Sequence, residues 1–336
     1  MLRIALVGKW FVHAERFADY LKTYPQCQIS AVYDCDIRRG RQWAEELGCP
    51  FIEDYDQIIG SPHIDGVVIM LPVKIRREYI LKAAEAGKHI FIEKPLAGSL
   101  EEAYEIRDAV VRGNIHFIVS DPVKKPPLMY AKKMMDEGLL GKITLVRVRI
   151  TTQELAIEPY SYWRLHHTGE EMCGGDMIDI GHHSFHILHW LLGKAERVAS
   201  LYSQVTDFAV KDGTEDNAVA VLGYSDGAIG IAEAGSATRG NLYEFEIFGT
   251  KGCIQGTKKS LRYQIGDEGW KEVPEAEWPQ PYEYILYYWV RNIVEDRPDE
   301  MFGIQESLEV LEMIMAAYAA GSRTEKILYK NWPEGQ

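Results

Sequence analysis

The chain has 336 residues, 46% of them hydrophobic and 26% charged, an ordinary globular composition and a length that suits two domains better than one core. Fifty acidic against 37 basic residues leave a net charge of -13, which excludes a nucleic-acid or anionic-membrane surface built on excess lysine and arginine. Five cysteines with no C-x-x-C pair fit free thiols in a reducing cytoplasm and argue against a zinc ribbon or a disulfide framework. No apolar run nears the roughly 18 residues of a membrane span, and the N-terminus MLRIALVG begins directly as a strand, with no secretion signal expected.

Through residue 120 short apolar runs alternate with amphipathic stretches. The runs at 3–7, 29–33, 66–70, 89–92 and 116–119 predict buried strands, and those at 11–23, 37–47, 73–87 and 99–112 predict helices. That alternation implies an α/β domain with a doubly wound parallel sheet and a ligand crevice beyond the carboxyl ends of its strands. The prolines of DPVKKPP mark a change of pattern, and a helix over 128–137 follows, ended by Gly138 and Gly141. From Ile143 the signal is strand-like: ITLVRVRIT, RVASLYSQV, AVAVLGY, AIGIAEAG and LYEFEIFG, with Asp226-Gly227 as a hairpin turn. Helices near 280–294 and 304–321 close the chain. The expected organisation is 1–120 as a dinucleotide-binding unit and 121–336 as an α+β substrate and oligomerisation unit with a mainly antiparallel open sheet.

The turn after the first strand reads Gly8, Trp10 and His13 where a dinucleotide fold prefers three glycines. By itself it is equally well a ligand-free strand–helix turn. Asp34, 26 residues after Gly8, stands near the spacing at which a carboxylate takes the ribose hydroxyls, or else caps the next helix. The acidic residue favours NAD over NADP; Arg38 and Arg39 beside it leave NADP open. Lys94 in IEKP, at the end of the 89–92 strand, is placed to point into the crevice and donate to a substrate oxygen, or is merely a charged strand end.

The stretch GGDMIDIGHHSFHILHW, 174–190, holds four histidines and two aspartates. Laid out as a helix starting at Asp179, it stacks Asp179, His183 and His186 on one face, with His182 and His189 beside it and Ile180, Phe185, Ile187, Leu188, Leu191 and Leu192 opposite. Three readings stand: a solvated polar face, a metal site using His182 and His186, or a relay in which Asp179 fixes the tautomer of His183. Gly8, Asp34, EKP at 93–95, WR at 163–164 and GG-x-x-x-D-x-G-x-H at 174–183 together resemble the Gfo/Idh/MocA oxidoreductases over essentially the whole chain.

That resemblance implies a Rossmann domain followed by a domain whose open sheet forms homodimers or homotetramers. It also implies NAD(P)-dependent hydride transfer at a secondary alcohol of a sugar, cyclitol or glycoside. It makes Lys94, Asp179 and His183 the catalytic group. It puts Gly8, Trp10, Asp34, Arg38, Leu71, Pro72, Glu93 and Lys94 on the coenzyme side, and Lys94, Trp163, Arg164, Asp179, His183 and His186 on the substrate side. No metal is implied. A non-catalytic nucleotide or sugar sensor, a redox-neutral glycosidase that restores its NAD and a metal-dependent hydrolase or lyase are the alternatives on the same fold.

Overall fold

A computed structural model describes residues 1–156, 169–280 and 284–322; Trp163 and Arg164, with His166 and His167, lie outside the described residues. The first sheet is parallel throughout: β1 (Leu2–Val7), β2 (Cys27–Tyr33), β3 (Gly66–Ile69), β4 (His89–Glu93) and β5 (Phe117–Ser120), in the order β2-β1-β3-β4-β5. β3 and β5 are buried along their whole length, as a sheet covered on both faces requires. The crossovers use α1 (Ala14–Thr23), α2 (Ile37–Leu47), α3 (Tyr55–Gly60), α4 (Val73–Glu85) and α5 (Leu100–Gly113). Asp36 accepts from the Arg39 amide and caps α2, and Ser99 caps α5 by accepting from the Glu102 amide. Asp34 is therefore not the helix cap.

After α6 (Pro126–Asp136), which starts on prolines suited to a first turn, the chain builds an eight-stranded sheet. Its strands are β6 (Ile143–Thr151), β7 (Arg197–Ser203), β8 (Asn217–Gly223), β9 (Ile229–Gly235), β10 (Tyr243–Gly249), β11 (Gly252–Thr257), β12 (Leu261–Ile265) and β13 (Lys271–Glu272). The order is β13-β12-β11-β10-β6-β9-β8-β7, antiparallel except where β6 meets β9. Gly227, at φ 90°, turns the β8–β9 hairpin. Along β8, Ala218, Ala220 and Leu222 point inward while Asn217, Val219 and Val221 point to the open face.

The helix Gly181–Leu192 lies on β6 and β9, and the closing helix Ile304–Gly321 packs against it as well as on α5 and β7. The helix Ile285–Glu295 returns to the first sheet, where Leu286, Trp289 and Val290 share a core with Ile4, Leu6 and Phe91. The sequence places everything after residue 120 in the second unit; these apolar residues pack on the first. No helix among the described residues is long and apolar enough to cross a membrane.

Candidate active site

β4 ends at Glu93 with Lys94 next, and β5 ends at Ser120 with Asp121 next, so two neighbouring strands deliver a cation and an anion to the same rim of the sheet. Lys94 is buried, and its ammonium donates to the Asp179 carbonyl at 2.7 Å and to the Asp179 carboxylate. Asp179 is buried with it and precedes the helix, which begins at Gly181. The helical layout drawn from Asp179 does not hold, because residues 176–180 form turns and the first helical residue comes later. Asp179 accepts from Lys94, and the Nδ1 hydrogen bond of His183 goes elsewhere.

The partner of His183 is Asp121. Its Oδ1 accepts from His183 Nδ1 at 2.5 Å, and its Oδ2 accepts from His182 Nδ1 at 2.9 Å and His186 Nδ1 at 2.8 Å. One fully buried carboxylate thus collects three imidazoles from one helix. Burial opposes the charge on Asp121, but the facing imidazoles outweigh it and hold the carboxyl well below the usual range. An ionised carboxylate only accepts, so each of these imidazoles presents Nδ1–H to it.

The three histidines differ in what their second nitrogen meets. His186 Nε2 reaches Glu306 Oε1 at 3.1 Å, which makes that ring a donor on both sides. Burial works against its charge, yet the two carboxylates push it up to about 9. Burial pushes His182 down to about 4, and its enclosed Nε2 has no hydrogen-bond partner among the described residues. His183 is the accessible one, its side chain 23% exposed against 2% and 4% for the other two. Its Nε2 has no hydrogen-bond partner among the described residues. This is the state of an imidazole held in one tautomer with a basic nitrogen presented outward.

The solvated-face reading fails because His182 and His186 are interior. His186, expected on the substrate side, is closed off by Asp121 and Glu306. Asp121, His182 and His186 also bring one ligand atom each within 4.8 Å of one another, the donor set a divalent ion would use. Both Asp121 oxygens and both His186 nitrogens are already satisfied by each other and by Glu306, so hydrogen bonding accounts for the cluster without an ion.

Residues 2–120 match the oxidoreductase family with the NAD-binding Rossmann fold, and residues 128–255 match the GFO/IDH/MocA C-terminal domain. The chain belongs to the Gfo/Idh/MocA oxidoreductase family. Within this family it is 29% identical to the scyllo-inositol 2-dehydrogenase (NAD(+)) of Bacillus subtilis (strain 168), over 75% of this chain and 73% of that protein. It is 27% identical to the myo-inositol 2-dehydrogenase of Thermotoga maritima, over 80% of each. A solved structure of levoglucosan dehydrogenase in complex with NADH and levoglucosan has the same fold, with a TM-score of 0.82 and 23% identity over 96% of this chain and 97% of that one.

The family's NAD-binding fold can be tested against the β1–α1 turn of this Gfo/Idh/MocA member. Gly8 sits at φ 86°, and a Cβ there would lie 2.5 Å from a Leu71 methyl, so the turn needs glycine and presses on Leu71. The Lys9 and Trp10 amides are taken by Asp34 and the Met70 carbonyl, while those of Val12 and His13 have no partner among the described residues. Those amides open the α1 N-terminus, where a helix favours phosphate. His13 itself turns to Glu93, Nδ1 to Oε1 at 2.6 Å, and two guanidinium nitrogens of the wholly buried Arg76 have no hydrogen-bond partner among the described residues. Pro72 caps α4 at the same rim.

At Asp34 the carboxylate receives the Lys9 and Asp36 amides and two nitrogens of Arg39, at 2.6 to 2.9 Å. The exposed Arg38 makes no such contact. Asp34 is therefore correctly placed but fully occupied, and a ribose diol reaches it only by replacing the partly exposed Arg39. With that one adjustment the residues fit a dinucleotide. Asp121, Glu306 and Lys124 escaped the sequence reading. Asp121 had the same cue as Lys94, a charged residue and a proline directly after a buried strand; the other two had none.

Proposed function

We propose that the chain is an NAD-dependent dehydrogenase for a secondary alcohol of a sugar, cyclitol or glycoside, reversible as ketone reduction. The observation that carries this is the pairing of each polar group with its own buried carboxylate: Lys94 on Asp179, His183 on Asp121. His183 Nε2 takes the hydroxyl proton, and the Asp121 carboxylate stabilises the imidazolium that results. Lys94, aimed by Asp179, donates to the same substrate oxygen and lowers the energy of developing alkoxide charge. The bound nicotinamide supplies the hydride chemistry. Val12, His13 and the start of α1 hold the phosphates, Asp34 the ribose, and Leu71, Pro72 and Glu93 flank the coenzyme. The names of the inositol and levoglucosan dehydrogenases among the relatives support the substrate class.

His183→Ala lowers kcat with scyllo-inositol, levoglucosan or another oxidised polyol by about a hundredfold or more, read as NADH formation. Unchanged turnover removes His183 from the mechanism. A relative named 2,7-anhydro-N-acetylneuraminate hydratase, 27% identical over 78% of this chain, favours a second reading in which oxidation is transient and no NADH accumulates. Net NADH release in step with product eliminates it.

The open face of the second sheet supports self-association as a homodimer or homotetramer. Leu201, Val219, Val221 and Ile229 are exposed there beside a ladder of Arg147, Arg149, Glu233, Glu244 and Glu246.

A further inference from the structure

A cavity of about 240 Å³ lies between α1, the segment that follows β5 and the start of the helix Ile285–Glu295. It opens one residue from the proposed catalytic centre, because Ser120 and Pro122 in its wall flank Asp121. The protein carries 50 acidic residues, yet among the described residues none lines this cavity, whereas Arg16, Lys124 and Lys125 do. Lys124 is accounted for: it donates to Glu306 at 3.1 Å and lies 4.3 Å from the centre of the Phe302 ring.

The side chains of Arg16 and Lys125 make no ion pair or hydrogen bond among the described residues. Lys125 is only partly exposed, and it feels the repulsion of Lys258 and Arg16 together with the attraction of Asp121, a carboxylate that three imidazoles already claim. A half-buried lysine with an exposed arginine near it raises the free energy of the empty site and lowers that of a site holding an anion. Part of the lining is aromatic: Tyr20 and Tyr284 stack with centroids 4.1 Å apart, and an aromatic face suits the C–H side of a sugar ring. The volume is below that of a drug-sized pocket and suits a small ligand.

We propose that the substrate is an acidic sugar or polyol, and that this cavity receives its carboxylate or phosphate on Arg16 and Lys125 while the oxidised hydroxyl lies at His183. This rests on the dehydrogenase reading but is tested apart from it. Equilibrium binding of D-glucuronate, D-glucose 6-phosphate and, as the neutral control, D-glucose is measured by calorimetry on the NADH-loaded protein. The wild type, Arg16→Gln, Lys125→Met and the conservative Lys125→Arg are compared, with their thermal unfolding as the check on folding.

At least one anion binds the wild type about tenfold or more tightly than glucose, and the preference weakens at higher salt. It is lost in Arg16→Gln and Lys125→Met and largely kept in Lys125→Arg. Whether glucuronate or the phosphate wins identifies the anion. Equal binding of all three sugars, or no measurable binding of either anion, overturns the proposal. So does a tenfold loss of NADH affinity in Lys125→Met, which would give these cations to the coenzyme's diphosphate. Anion binding through Arg16 and Lys125 with no NAD reduction by any of these sugars leaves the anion site standing and sends the failure to the dehydrogenase reading.

Discussion

At the scale of single residues the site turns on Asp121. A carboxylate with no exposure, facing three imidazoles, is stable only because the charges around it balance: Asp121 and Glu306 are anionic, His186 and Lys124 cationic, and each is hydrogen-bonded within the set. An asparagine at 121 keeps the shape but offers one acceptor and two donors. It cannot take three Nδ1–H groups, so the His183 ring has to turn or change tautomer. Asp121→Asn is expected to lower kcat by roughly 10²–10⁴-fold with a much smaller change in KM, measured by NADH formation across pH. A loss under tenfold would detach Asp121 from the proton transfer and leave it a structural role.

At the scale of elements the two faces of the second sheet do different work. The inner face is apolar and fixed by close packing. At Gly256, for example, a Cβ would lie 2.2 Å from the Phe245 ring. The histidine helix rests on that inner face, and this sets which way its imidazoles point: toward β5 and the closing helix, with His182 and His186 shut away from water and His183 partly open to it. The outer face carries aliphatic residues on β7, β8 and β9, with Val219 paired to Leu201 and Val221 to Ile231 across the strands. Val221→Lys places a charge in the middle of this patch without touching the inner face. If the open sheet is the interface, sedimentation velocity should show the variant dissociating to smaller species with its fold intact; an unchanged assembly would move the interface elsewhere.

At the scale of the whole molecule, the buried histidines make stability depend on pH from both sides. His186 holds its proton up to about 9, whereas an unfolded histidine releases it near 6.5. Its contribution is complete below 6.5 and is lost as pH rises through 9. His182 stays neutral down to about 4, so below 6.5 the unfolded chain takes up a proton that the folded one refuses, and stability falls as pH drops toward 4. Asp121 and Glu306, both held below the ordinary carboxyl range, add to the loss at still lower pH. Urea unfolding should therefore find a maximum near pH 6.5 and a decline of the order of 2 kcal/mol toward pH 9. His186→Gln should flatten that alkaline limb. A wild type equally stable at pH 6.5 and 9 would mean that His186 is neutral in the folded protein.

Periodicity and turn residues were enough to establish the parallel sheet of the first half, the mainly antiparallel sheet of the second and the crevice end at which Lys94 stands, because those follow from which neighbouring side chains must be buried. They also located the histidine segment and Asp34, since charged residues at strand ends and imidazoles crowded into one stretch are local facts. Partnership was not local. Asp121 meets His183 across 62 residues and Glu306 meets His186 across 120, and Asp179 pairs with Lys94 because the chain turns before Gly181 when a uniform helix would have carried it past. Only the packing of two sheets and the closing helix decides which carboxylate stands before which cation; a sequence records the charges, while their neutralisation is a property of the space they share.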